Sequence, residues 1–124
     1  MLVALVDDLM FLSRIREAAR GSGADVLSVR GGEALIAAAR AGARLVLVDA
    51  DSTRIAWQGA LEALRALPEF AALPVVAFVS HANAAQAEAA RAAGATRVLA
   101  RSAFIQELPH LVADPRPAQH ETGS

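Results

Sequence analysis

ARLVLVDAD, residues 43–51, is the stretch that decides the fold. Four apolar residues, 45–48, follow one another without alternation and then meet Asp49. A strand that is apolar on both faces has to be covered on both faces, as in a parallel sheet with helices above and below it. The same pattern recurs at residues 2–6, ending on Asp7 and Asp8, and at residues 75–79. Two weaker strands fit at 25–29 and 97–100.

Helical stretches fill the intervals. Residues 9–20 put Leu12, Ile15 and Ala19 on one face before Gly21-Ser22-Gly23. Residues 33–41 stop at Gly42, and residues 83–93 stop at Gly94, the usual position for a left-handed cap. Residues 56–66 place Trp57, Ala60, Leu61 and Leu64 on one stripe, and residues 103–112 form a last helix before Pro115. The order strand–helix, five times over, implies right-handed crossovers and a three-layer α/β sandwich. Residues 1–113 are expected to form one domain. Residues 114–124, with two prolines and a glycine, are expected to be a flexible tail without an attached output domain.

Composition excludes several classes of function. The 124 residues include no cysteine, so disulfides and Cys-ligated zinc are ruled out and a reducing, cytoplasmic setting is expected. The net charge of −1 comes from interspersed acids and bases, which gives no footprint for nucleic acid. No apolar run nears the roughly 20 residues that cross a bilayer. All basic residues are Arg and there is no Tyr, a bias that makes any Arg in a Lys position less informative.

The chemistry sits at the strand ends. Ligands of open α/β sheets bind outside the carboxyl ends of the strands, where strand order reverses. In a flavodoxin-like order 2-1-3-4-5, the ends of strands 1 and 3 are neighbours there, so Asp7, Asp8 and Asp49 converge, with Asp51 close behind. Clustered carboxylates repel unless a positive charge stands among them. A hard dication such as Mg²⁺, weakly held, is the natural guest. It would also let a carboxylate accept a phosphoryl group. A single strand-end Asp is more often a helix cap or turn residue; a pair on one strand plus Asp49 on another favours a site.

These segments resemble a known family. LVALVDD (2–8) resembles the opening strand of response-regulator receiver domains, and ARLVLVDAD (43–51) their third strand with its phospho-accepting aspartate. LPVVAFVSH (73–81) and AARAAGATRVLARSAF (89–104) resemble the fourth strand and the segment from helix 4 into helix 5. The resemblance implies a stand-alone bacterial two-component signalling domain and not an enzyme. In it Asp49 takes a phosphoryl group, Mg²⁺-dependently, from a histidine kinase or a phosphotransfer protein of a phosphorelay. It further implies Asp7, Asp8 and Asp49 as metal ligands, with the backbone carbonyl of Asp51. The face made by helix 4, strand 5 and helix 5 would then serve as a homodimer or target surface, with Ile105 among its apolar residues.

The departures from that family are specific. Val79 stands where the family carries a hydroxyl that binds a phosphoryl oxygen. Ser80 could contact phosphate only after a one-residue shift, which would reverse the face it points to. Arg101 stands in place of a phosphate-binding Lys, Ser102 in place of a Pro, and Val98 where an aromatic switch residue is common. Thr53 and Trp57 replace a usual Pro and Gly. The alternative reading is therefore a pseudo-receiver, the same fold used as a phosphorylation-independent interaction module. Two other classes are weaker. LVLVDADST also resembles the loop of haloacid-dehalogenase-type phosphatases, but no Lys and no later acidic pair follow it. A nucleotide-binding module would need a Gly-rich loop where Asp7-Asp8-Leu9-Met10 stands. His81, His110 and His120 lack metal-ligand spacing, and His81 fits an exposed loop.

Overall fold

A computed structural model describes residues 1–113. The expected tail, 114–124, lies outside the described residues. Five parallel strands form one sheet in the order β2-β1-β3-β4-β5. They are β1 (Leu2–Leu5), β2 (Val26–Ser28), β3 (Leu45–Asp49), β4 (Val75–Val79) and β5 (Arg97–Ala100). Between and after them run α1 (Leu9–Gly21), α2 (Gly32–Arg40), α3 (Trp57–Arg65), α4 (Ala84–Ala93) and α5 (Arg101–Val112). A 3₁₀ turn over Pro68–Phe70, absent from the sequence reading, leads into β4.

The central strands are buried along their whole length because their side chains alternate between two cores. Val3, Leu5, Val46, Val48, Val75, Ala77 and Val79 join the core under α2, α3 and α4. Leu2, Ala4, Val6, Leu45, Leu47, Val76 and Phe78 join the core under α1 and α5. Each such Val, Leu or Phe contributes about 1.5–3 kcal/mol by leaving water. On the α1/α5 side the ring of Phe78 stacks on Phe11 at 4.9 Å and on Phe104 at 4.4 Å. Trp57, the single tryptophan, is buried at the first position of α3.

Two boundaries differ from the sequence reading with consequences. The last helix begins at Arg101, not residue 103, because Ala100 is still extended and the chain turns into α5 without a connecting loop. Its buried stripe is Phe104, Leu108 and Val112, with Ile105 and Leu111 only partly covered. Residue 83 is not helical: Asn83 is the N-cap of α4, its side chain accepting the Gln86 N–H at 3.2 Å.

Cationic side chains tie the elements together. Arg65 of α3 donates to Gly94 O at 2.9 Å, Phe70 O at 2.7 Å and Thr96 Oγ1 at 3.2 Å. Gly94, the cap of α4, has φ +112°, and a Cβ there would stand 2.5 Å from Arg65 Cγ. Glycine thus satisfies both the left-handed turn and the close approach. Arg44 donates to the last carbonyls of α5, those of Val112 and Ala113.

Strand register fixes the rim that matters. Asp49 lies opposite Phe78, and Val79 opposite Ala100. Residues just past the strand ends, among them Asp8, Asp51, Ser80 and Arg101, therefore gather at one edge of the sheet.

Candidate functional site

The chain leaves β1 through Asp7 and Asp8, and the two side chains diverge. Asp8 is the N-cap of α1: one carboxylate oxygen, Oδ1, accepts the N–H groups of Met10 at 3.0 Å and Phe11 at 3.2 Å. Such a cap stabilises a helix by about 1 kcal/mol. Its other oxygen, Oδ2, accepts from Arg101 Nη2 at 3.2 Å. Asp7 turns instead to the β3–α3 loop, where it accepts the Ser52 hydroxyl at 2.9 Å and lies 4.0 Å from Arg54 Nε. Ser52 Oγ in turn accepts the N–H groups of Arg54 and Ile55, so Asp7 braces the loop that follows Asp49.

Asp49 is 3 % exposed, the one buried polar or charged residue among those described. Its Oδ1 accepts the Asp51 N–H at 3.0 Å and Arg101 Nη1 at 3.3 Å. Burial pushes its carboxyl above the ordinary carboxylate range, and the charge of Asp51 adds to this; the Asp51 N–H and Arg101 pull it back. Oδ2 makes no hydrogen bond among the described residues, yet it is not sealed off, since no buried side-chain polar atom lacks a partner there.

Asp51 enters through its side chain. Oδ2 accepts the backbone N–H of Ser80 at 2.6 Å and Arg101 Nη1 at 3.2 Å; Oδ1 accepts Asn83 Nδ2 at 3.1 Å. Gln86 Nε2 donates to Ala50 O at 2.6 Å. The loop after β3 is thereby stitched to the start of α4.

One cation meets three of these acids. Arg101 Nη2 lies 3.2 Å from Asp8 Oδ2, and Nη1 lies 3.3 Å from Asp49 Oδ1 and 3.2 Å from Asp51 Oδ2. The guanidinium carbon stands 4.2 Å from the centre of the Phe11 ring and 5.1 Å from that of Phe78. An aromatic floor of this kind favours a flat, weakly hydrated cation.

The geometry brings Asp8, Asp49, Asp51 and Arg101 together at one place. Asp7 does not join them, because consecutive residues leaving a strand point apart. Ser80 brings its backbone N–H, not its hydroxyl, to the cluster, and Val79 points into the core under α3 and α4. His81 is exposed. Sequence reasoning missed Phe11 and Phe78 as the floor beneath Arg101, and Asn83 and Gln86 as partners of the β3–α3 loop. The one signal for Asn83 was its residue type, a preferred helix N-cap.

A divalent cation fits the donor chemistry, since all the acids offer hard oxygens, but not their arrangement. Among the described residues, no group of three or more acids or histidines is placed to hold a metal ion. Asp8, Asp49 and Asp51 each give an oxygen to Arg101, and Asp7 is engaged elsewhere.

No family model matches the sequence, and no curated protein does. Solved structures do match the fold. A proposed response regulator from Chloroflexus aurantiacus J-10-fl is 24 % identical, with a TM-score of 0.74 over 88 % of this chain and 90 % of its own. A phosphorylated cyanobacterial phytochrome response regulator, RcpA, is 20 % identical, TM-score 0.68, over 90 % and 86 %. The Mn²⁺-bound form of the response regulator Rcp1 is 15 % identical, TM-score 0.65, over 88 % of each chain. The architecture is that of a response-regulator receiver domain.

Proposed function

We propose that this chain is a signalling domain of the receiver type, in which Asp49 accepts a phosphoryl group from the phosphohistidine of a histidine kinase or phosphotransfer protein. The observation that supports this best is the state of Asp49. It ends the central strand, its Oδ1 is fixed by the Asp51 N–H and Arg101, and its Oδ2 is free to act as nucleophile. In the transfer, Oδ2 forms the bond to phosphorus while the phosphorus–nitrogen bond breaks, and the departing imidazole takes up a proton. Arg101 can follow the new negative charge with two N–H donors. The Ser80 N–H is a further donor at the same rim.

In this reading the chain is the acceptor for its partner and turns over no separate substrate. Leu9 and Met10, exposed at 78 % and 71 % beside Asp8, would give that partner apolar contact. No described helix is long and apolar enough to cross a membrane. The face of α4, β5 and α5 would serve a homodimer or a target. Sedimentation of the full chain and of Ile105→Glu tests the homodimer: loss of self-association in the variant is expected, and a parent monomeric at every concentration, with no partner binding lost in the variant, would sink the surface reading. No step is assigned to a divalent cation, because the acids as arranged do not offer it a site.

The test of phosphorylation is intact mass after incubation with phosphoramidate or acetyl phosphate, with and without Mg²⁺. One added phosphoryl group that is absent in Asp49→Asn is the expected result. A second reading, a phosphorylation-independent interaction module, is favoured by Val79 being consumed in the core and Arg101 being engaged by three acids. No adduct under any of these conditions would favour it.

A further inference from the structure

We propose that Arg101 is the resident cation of the acidic rim: its guanidinium stands among Asp8, Asp49 and Asp51 where a divalent ion would have to sit, so metal binds only by displacing it. This goes beyond the phosphoryl-acceptor reading and does not depend on it.

Three observations carry the inference. The first is spacing. A divalent ion draws oxygens to about 2.0–2.6 Å, whereas the three carboxylates meet Arg101 nitrogens at 3.2–3.3 Å. The guanidinium takes the space between them, and among the described residues no three such groups are placed to hold one metal ion. The second is support from below. The guanidinium lies over Phe11 and Phe78, and Phe78 stacks on Phe104 of α5 itself. Arg101 is the first residue of that helix, so its backbone and its side chain are both anchored. The third is the loss of a ligand. Asp7, which would complete an acidic pair with Asp8, is occupied by the Ser52 hydroxyl and braces the loop.

The guanidinium also brings what a metal ion cannot. Its supply is independent of metal concentration. A lysine here would carry a compact, strongly hydrated charge, with neither the fork that reaches Asp8 and Asp51 together nor the flat face that rests on Phe11.

The test is Mn²⁺ binding to the full chain, followed by calorimetry and by the paramagnetic signal of free Mn²⁺. The parent, Arg101→Gln, Arg101→Lys and the double variant Arg101→Gln/Asp49→Asn are compared. The parent is expected to bind weakly and Arg101→Gln about tenfold or more tighter, since the uncompensated acids then attract a hard dication. Arg101→Lys should fall between them, and the double variant should lose the gain. Equal affinity of parent and Arg101→Gln overturns the proposal. If Arg101→Gln does not fold, the Arg101 side-chain N–H resonance of the parent decides during a Mg²⁺ titration. No binding, or binding that shifts this resonance, supports displacement; binding that leaves it unmoved overturns it.

Discussion

The acidic rim and the recess beside β5 lie next to each other at the same end of the sheet, and they are built on opposite plans. At the rim, Asp8, Asp49 and Asp51 each accept at least two hydrogen bonds, and the cation they share rests on aromatic rings. The recess, about 150 Å³, is lined largely by small side chains, among them Val79, Ala84, Ala87, Val98 and Ala100. Positions at the rim are over-determined, so a change of charge there has to move something. Ala87, Val98 and Ala100 in the recess are only partly buried, so there is room for movement there. Asp51 joins the two, holding Arg101 on one side and Ser80 and Asn83 of the β4–α4 turn on the other.

The sharpest way to break this contrast is Arg101→Gln, which leaves the carboxylates without their cation. Breaking a buried ion pair costs about 3–5 kcal/mol; Arg101 keeps a quarter of its side-chain exposure, so about 2–3 kcal/mol is expected in urea unfolding. A loss below roughly 0.5 kcal/mol would put the rim in the class of surface ion pairs.

Asp51→Asn tests the link. It weakens the bonds to Ser80 and Arg101 by removing charge, an effect on the order of 1 kcal/mol. Amide exchange at Ser80 and Asn83 should quicken more than at the central strands. Unchanged exchange there would mean that the turn is held by other contacts.

Asp49→Asn should act in the opposite direction, by less. Burial raises the Asp49 carboxyl above its ordinary 3.8, so between that value and the raised one the folded chain holds a proton that the unfolded chain has released. Stability from this group is therefore present at low pH and is lost as pH rises from that ordinary value through the raised one. Asn carries no such slope. In chelator-treated buffer its advantage over the parent should be absent at the acid end and grow to under about 1 kcal/mol at neutral pH, since the Asp51 N–H and Arg101 offset part of the burial cost. An advantage that shrinks with rising pH would contradict the raised value.

The smallest effect is expected at Val98→Phe. The recess is open and can take the ring, so the change in melting stability should stay within about 0.5 kcal/mol, against the 1–3 kcal/mol of an overpacked core. A large loss would show the recess to be as tightly specified as the rim.

The strands were legible in the sequence because each is an uninterrupted apolar run ending in a polar residue, and a parallel sheet covered on both sides leaves such runs little choice. The strand-end acids were legible for the same reason. The use made of them was not. That Arg101 lies on Phe11 and Phe78 depends on three residues 90, 67 and 23 apart in pairs along the chain, which no local period connects. The divergence of Asp7 from Asp8 follows from the turn into α1, where capping claims Asp8 and the Ser52 hydroxyl claims Asp7. The start of α5 was placed two residues late because Ser102 reads as a helix N-cap, whereas Ala100 holds that position without any side-chain cap. The absent hydroxyl at Val79 was legible, and the core contact that occupies this residue accounts for its type.

Trp57 gives the molecule a built-in optical reporter. With no tyrosine in the chain, red-edge excitation lights a single indole, buried at the head of α3 and bonded through its N–H backbone to Ile55 O. Ile55 donates to the same Ser52 hydroxyl that Asp7 holds. Emission from this one ring therefore registers, without any label, both the melting of the domain and a local opening of the loop that carries Asp51.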